Sequence, residues 1–375
     1  MASIAKNWLD ALDALNPGHP VRIMNVCGGH ERAISMAGLR KAIPDFIELV
    51  PGPGCPVCIC PEEDVFEAIQ LALNEDVILV AFGDMLRVPV NVPKREPRSL
   101  EQARAAGGDI RPIATPMEAV RIARENPGRK VVFFAAGFET TTAPVAAMLA
   151  EGAPLNLLLL LSARLTWPAV AMLLDSGEPG FAALIAPGHV STVMGPEEWE
   201  FVADKHGIPS AVAGFRPDTL LAAMASVLRQ LQNGQHFLDN CYPEVVRPGG
   251  NPAAKRQLQK VMRITDANWR GIGVIAGSGF TLNEAYAAHD ARRQYRAYAD
   301  DSRKRIGEMP PGCDCAQVVL GKMYPNQCRL YGAACTPRKP IGPCMVSDEG
   351  ACRIWWSSGQ RDNAWEGRKK RQSVG

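Results

Sequence analysis

The chain has almost no charge imbalance: 41 lysines and arginines stand against 39 acids in 375 residues, a formal net charge of +2. That excludes a global electrostatic pull toward nucleic acid or an anionic membrane surface. Long apolar runs are also missing. The most apolar segment, around "LNLLLLLSARL", is far shorter than the roughly 18 residues a bilayer-spanning helix needs, so no membrane partner is expected. The first residues, "MASIAKNWLDALDAL", lack a basic leader with an apolar core, which argues against a signal peptide and for a cytoplasmic location. Thiols are kept reduced there, so eleven cysteines, an odd count, favour metal binding or redox chemistry over a disulfide framework. No internal repeat and no Walker-type phosphate loop is evident.

What the chain does have is short apolar runs alternating with helical patterns. "FIELV", "VILVAFG", "KVVFFAAG", "LNLLLLL", "AALIAPG", "PSAVAGF" and "GIGVIAGSG" read as strands. "PEEDVFEAIQLALN", "TPMEAVRIAREN", "TTAPVAAMLAEG", "WPAVAMLLDSG", "EEWEFVADKHG" and "PDTLLAAMASVLRQLQNG" read as helices between them. This alternation predicts an α/β fold with two parallel-sheet domains, one on each side of the polar stretch at 92–109. The expected division is 1–125, 126–255 and a cysteine-rich helical and loop part at 256–375, with 271–290 free to pack back on the α/β part. A charged helix is expected over "DARRQYRAYADDSRKR", and the terminal "GRKKR" reads as a solvated basic tail.

Ligands in such sheets sit beyond the carboxyl ends of the strands, and the unusual segments fall there. "CGGHE" places Cys27 and His30 around a Gly-Gly turn, a pair suited to holding a metal or to acting as nucleophile and base; a packed Cys and a hydrogen-bonded His is the plain alternative. "PGPGCPVCIC" holds Cys55 and Cys58 at CxxC spacing before a helix. A helix start favours thiolate, whereas Glu62, Glu63 and Asp64 oppose it, and a zinc knuckle that borrows Cys27 and His30 is the rival. Cys60 receives no role, and Cys241 reads as packing. "APGHVS" presents His189 on a strand-end loop, as a functional or a hydrogen-bonded structural histidine, and "GFETTT" is either an anion site or an ordinary helix cap. The tail concentrates Cys313, Cys315, Cys328, Cys335, Cys344 and Cys352 on proline- and glycine-rich loops without one CxxC pair. Thiolates on such loops suit a [4Fe-4S] cluster, with structural zinc as the alternative.

Taken together, "MNVCGGH", "ELVPGPGCPVC", "FGDMLRVP", "AGFETT", "APGHVS" and "CTPRKPIGPCMVSDEGAC" resemble, in order and over nearly the whole chain, the motifs of the HypD family of [NiFe]-hydrogenase maturation factors. The resemblance implies a scaffold and redox component that assembles an Fe(CN)2(CO) group with a HypC-type chaperone. It further implies cyanide supplied by a HypE-type protein and delivery to the hydrogenase large subunit. By motif, Cys27 would hold the transient iron with His30 nearby, and Cys55 and Cys58 would form the redox dithiol. Cys313, Cys328, Cys335 and Cys352 would bind a [4Fe-4S] cluster, leaving Cys315 and Cys344 as an accessory thiol pair, with Glu349 and His189 in supporting positions. One departure stands out: where the family continues its first motif as His-Thr-His, this chain has His30-Glu31-Arg32, so the surroundings of the iron are expected to differ. Two other classes share parts of this pattern, an iron-sulfur thiol-disulfide reductase acting on a protein partner and a zinc-stabilised interaction protein.

Overall fold

Segments such as "VILVAF" and "KVVFFAAG" are apolar on both faces, which suits strands covered by helices on each side. In the computed structural model, which describes residues 2–298 and 309–362, these runs form β1 (Val21–Asn25), β2 (Ile47–Pro51), β3 (Val77–Phe82), β4 (Ile110–Ile113), β5 (Lys130–Gly137) and β6 (Leu157–Ala163). They continue as β7 (Ala183–Pro187), β8 (Ser210–Ala213), β9 (Leu238–Asn240), β10 (Met262–Trp269) and β11 (Gly273–Leu282). β2-β1-β7-β8-β9 make a five-stranded sheet and β4-β3-β5-β6 a four-stranded one. Both are parallel throughout. The fold is therefore α/β with two parallel sheets, as the alternation predicted.

The sheets do not follow a division at residues 125 and 126, nor one at the polar stretch 92–109. That stretch is the crossover from β3 to β4 inside one sheet and carries the helix Leu100–Ala105. β1 pairs with β2 on one side, but its other neighbour is β7, with Ile23 opposite Ala183. The chain thus begins one sheet, builds the whole of the other, and returns. Strand alternation reports the order of elements along the chain and carries no information on which edges pair, so the expected boundary followed sequence and not pairing.

β10 and β11 form an antiparallel hairpin, so "GIGVIAGSG" is a strand outside the parallel series. It lies on the four-stranded sheet: Arg164 bridges Gly279, Leu159 bridges Asp290, and the Leu165 amide donates to the Ser278 carbonyl at 2.8 Å. Segment 271–290 therefore packs on the α/β part. The expected charged helix is helical at Ala291–Gln294 and turns as a 3-10 helix at Arg296–Tyr298; the rest of it, and the "GRKKR" tail, lie outside the described residues. Among the described residues no helix is long and apolar enough to cross a membrane.

One buried core includes residues of the cysteine loop after β2, the four-stranded sheet, Trp269 and all six tail cysteines. Its continuity fixes how the two cysteine systems stand to one another.

Candidate functional site

The carboxyl ends of β1, β7 and β8 face those of β5 and β6 across a cleft of about 640 Å3, whose walls include Cys27, His189 and Phe215 on one side and Thr140 and Thr166 on the other, with Glu349 from the tail. This is where parallel sheets place ligands, here with two sheets contributing at once.

Cys27 follows β1 and caps the helix Gly28–Met36 from an extended backbone. It is half-buried. Loss of water around the sulfur, with the Glu349 carboxylate adding to it, pushes the thiol up to about 12, while the amides of His30 and Gly29 pull the other way. His30 is fully buried, its Nε2 bonded to the Ala213 carbonyl at 2.9 Å. Burial lowers it to about 4, so the ring is neutral, Nε2 carries the proton, and Nδ1 is buried without a hydrogen-bond partner. Phe215 lies between the two imidazoles, its ring 5.0 Å from that of His30 and 4.1 Å from that of His189. His189 itself is exposed to the cleft.

The proline-glycine loop after β2 presses directly on this turn. A Cβ on Gly54 would overlap the Cys27 backbone, and the Gly28 amide donates to the Gly54 carbonyl at 3.1 Å. Glycine at 54 lets two loops share a space in which a side chain would have no room. The next residues carry a Cys55–Cys58 disulfide at the start of the short helix Pro56–Ile59. Behind the disulfide lies a void of about 10 Å3, bordered by Cys27, Cys55, Cys58, Glu31, Cys344 and Glu349 among others, large enough for about one water. It is here that the amino-terminal sulfurs and the tail meet.

All six tail cysteines are buried. The sulfurs of Cys315, Cys344 and Cys352 lie within 4.8 Å of one another, a group able to hold a metal ion. Cys313 shares a 3.3 Å sulfur-sulfur hydrogen bond with Cys315; that bond lowers the Cys313 thiol and raises Cys315. Charge on Cys313 adds to burial in raising Cys328 and Cys335. Cys335 Sγ accepts the Ile341 amide at 3.3 Å, and a Cβ on Gly342 would collide with the Cys313 and Cys315 sulfurs. Convergent thiols, a backbone amide on sulfur and a glycine shaped to pass two sulfurs fit an iron-sulfur cluster. The most closely convergent trio shares only Cys352 with the four cysteines that the motif resemblance singles out.

Glu31 and Arg32 take different directions. Glu31 is buried and accepts from Asn25 Nδ2 at 2.9 Å, Arg40 Nη2 at 2.6 Å and Trp355 Nε1 at 2.8 Å. Trp355 in turn stacks on Tyr324 and lies under the Arg40 guanidinium. Glu31 thus joins the Cys27 helix to the helix Ala351–Ser357, which carries Cys352. Arg32 is exposed at the cleft rim and lowers Glu349, which burial first and Asp84 second push up to about 7.

"GFETTT" opens the helix Glu139–Ala150. Its buried Glu139 accepts from the Thr166 amide at 2.6 Å and hydroxyl at 2.7 Å, and burial raises it to about 7. Thr140 and Thr141 line the cleft, while Thr142 bonds back to the Phe138 carbonyl at 2.8 Å. Cys60 is buried 3.4 Å from Ser162 Oγ, and Cys241 packs beside Asp239 at 3.6 Å; neither touches the cleft. Sequence reasoning passed over Asp84, which accepts from Ser347 Oγ at 3.0 Å and crowds Glu349. Its only signal was membership of "FGDMLRVP". It also passed over Trp355, for which no local pattern exists.

The family model HypD, described as the hydrogenase formation hypA family, matches residues 3–359. The chain is 41% identical over 344 residues to the hydrogenase maturation factor HypD of Rhodobacter capsulatus, covering 91% of this chain and 90% of the relative. It is 39% identical over 355 residues to the hydrogenase maturation factor HypD2 of Bradyrhizobium diazoefficiens, with 92% and 91% covered. To the hydrogenase maturation factor HypD of Escherichia coli it is 38% identical over 352 residues, with 92% and 91% covered.

Proposed function

Because the chain belongs to the HypD family of hydrogenase maturation factors, we propose that it assembles an Fe(CN)2(CO) group in the cleft, held between Cys27 and a thiol of a HypC-type chaperone. A HypE-type protein would supply cyanide, and the hydrogenase large subunit would receive the product. The observation that carries this reading is the common void where Cys27, the Cys55–Cys58 disulfide, Cys344 and Glu349 meet. It gives the Cys27 thiol and the redox pair one shared wall.

The chemistry follows from the residues. Cys27, raised to about 12, stays a neutral thiol until a cation arrives, and coordination then releases its proton. Glu349, raised to about 7, is half ionised near neutrality and stands at the same void, placed to take that proton. Soft thiolate suits an iron that carries cyanide and CO better than a carboxylate would. The Cys55–Cys58 disulfide, on taking two electrons and two protons, becomes two thiols; run backward it returns two electrons to the cleft. Cys313, Cys328, Cys335 and Cys352 would hold a [4Fe-4S] cluster, with Cys315 and Cys344 as a thiol pair between it and the disulfide. One contact supports placing Cys344 toward the disulfide: it borders the void beside Cys55 and Cys58. The cluster would supply one-electron transfer.

The disulfide also favours a second reading, a thiol-disulfide reductase acting on a protein partner. Infrared spectroscopy of the anaerobically co-purified chain and HypC-type chaperone separates the two. Bands of iron-bound cyanide and CO, lost in Cys27→Ala, are expected; their absence together with robust reduction of a disulfide partner would establish the reductase.

A further inference from the structure

Beside the cleft, a second groove of about 400 Å3 runs between the helices Gly28–Met36 and Ala351–Ser357, bordered by Arg32, Ser35, Met36, Asp348, Arg353 and Ile354 among others. Its electrostatics are incomplete. Arg353 Nε is buried with no hydrogen-bond partner, as is Ser35 Oγ. Among the described residues, the one ion pair of Arg353 is a 3.6 Å approach to Asp348, whose side chain is 71% exposed. Arg32 is exposed and, among the described residues, makes no hydrogen bond or ion pair. Two guanidiniums therefore face a groove whose own carboxylate is the solvated Asp348, with Glu349 near Arg32 on the cleft side. Between them lies an apolar stripe of Ile354 and Met36, the latter 76% exposed. Arg32 and Met36 border both the groove and the Cys27 cleft, so whatever fills one continues into the other.

We propose that this groove docks an acidic segment of the partner protein, an Asp or Glu flanked by an apolar side chain, and so guides the partner's thiol to Cys27. The inference rests on the reading of the preceding subsection, which already brings a partner thiol into the cleft. Guanidinium forks match carboxylates bidentately, the buried donors that lack a hydrogen bond gain acceptors on binding, and the apolar stripe takes the neighbouring side chain. A second copy of this chain is a poor occupant, since a two-fold contact would set the same arginines against one another. A lone oxyanion would leave the apolar stripe bare.

The test measures binding of a fluorescently labelled HypC-type chaperone to the full chain under anaerobic conditions, across a salt series. Arg32→Glu with Arg353→Glu should weaken binding by at least about tenfold and flatten the salt dependence. Arg32→Gln with Arg353→Gln should give a smaller loss of the same sign. Unchanged melting temperature and iron and sulfide content in each variant show that the fold is intact. Unaltered affinity and salt dependence in both variants overturn the groove as the dock and leave the maturation reading standing. Failure of the unmodified chain to bind the chaperone ends both. Inorganic phosphate that binds the groove without displacing the chaperone overturns the proposal in favour of a free oxyanion.

Discussion

Glu31 and Trp355, separated by 324 residues, meet in a 2.8 Å hydrogen bond from indole to carboxylate. The bond ties the helix that begins after Cys27 to the helix that carries Cys352, and Arg40 closes the arrangement with a 2.6 Å ion pair to the same carboxylate. Glu31→Ala would leave the largely buried Arg40 uncompensated and should cost about 3–5 kcal/mol. Trp355→Phe removes one donor and should cost about 1–3 kcal/mol. Anaerobic chemical denaturation gives both values, and a smaller loss for Glu31→Ala than for Trp355→Phe would contradict this account.

Cys27 should be a slow nucleophile in the metal-free protein. With the thiol raised to about 12, its thiolate fraction near neutrality falls about 10³-fold below that of an ordinary cysteine. Iodoacetamide labelling resolved by mass spectrometry should show that deficit, with the rate still climbing at the highest pH tolerated. Ferrous iron added to the reduced protein should release a proton, read by a pH indicator, and Cys27→Ala should release fewer.

Two buried groups impose opposite pH dependences. His30 falls from 6.5 to about 4 on folding, so the unfolded chain takes up a proton first. Its contribution is complete above about 6.5 and is lost as pH falls toward 4, by about 3 kcal/mol. Glu139 rises from 4.5 to about 7, so its contribution is complete below 4.5 and is lost as pH climbs toward 7, by about 3 kcal/mol. Melting curves over that range should rise more steeply with pH in Glu139→Gln than in the unmodified chain. In His30→Gln they should rise less steeply.

Close approach, and not backbone conformation, makes two glycines irreplaceable. Alanine at 54 would strike the Cys27 backbone, and alanine at 342 the sulfurs of Cys313 and Cys315, whereas a Cβ on Gly128 meets nothing within 4 Å. Gly54→Ala should abolish hydrogenase maturation in cells while sparing bound iron and sulfide. Gly342→Ala should lose both iron and sulfide, and Gly128→Ala should lose neither.

The strands and helices that line the cleft were legible because each is a short apolar run ending in turn residues, and because every unusual motif fell just past a strand. Their partnership was not. Nothing in "VRI" announces that its neighbour is "ALIAP" and not the adjacent "VILVA", since both candidates are equally apolar. The cysteines were visible as residue types at given spacings, but the contact of Cys344 with the Cys55–Cys58 void depends on tertiary packing alone. Glu31 was legible as an oddity beside Cys27 and was expected to alter the iron's surroundings. In the structure it reaches Trp355, a tryptophan that no periodicity marks.

The return of the chain to its first sheet has a consequence for synthesis. Cys27, Cys55 and Cys58 leave the ribosome early, yet β1 gains its inner neighbour only when β7, starting at Ala183, has emerged. The wall contributed by Cys344 and Glu349 arrives later still. A nascent or truncated chain therefore presents these thiols to solvent without the walls that the finished fold builds around them.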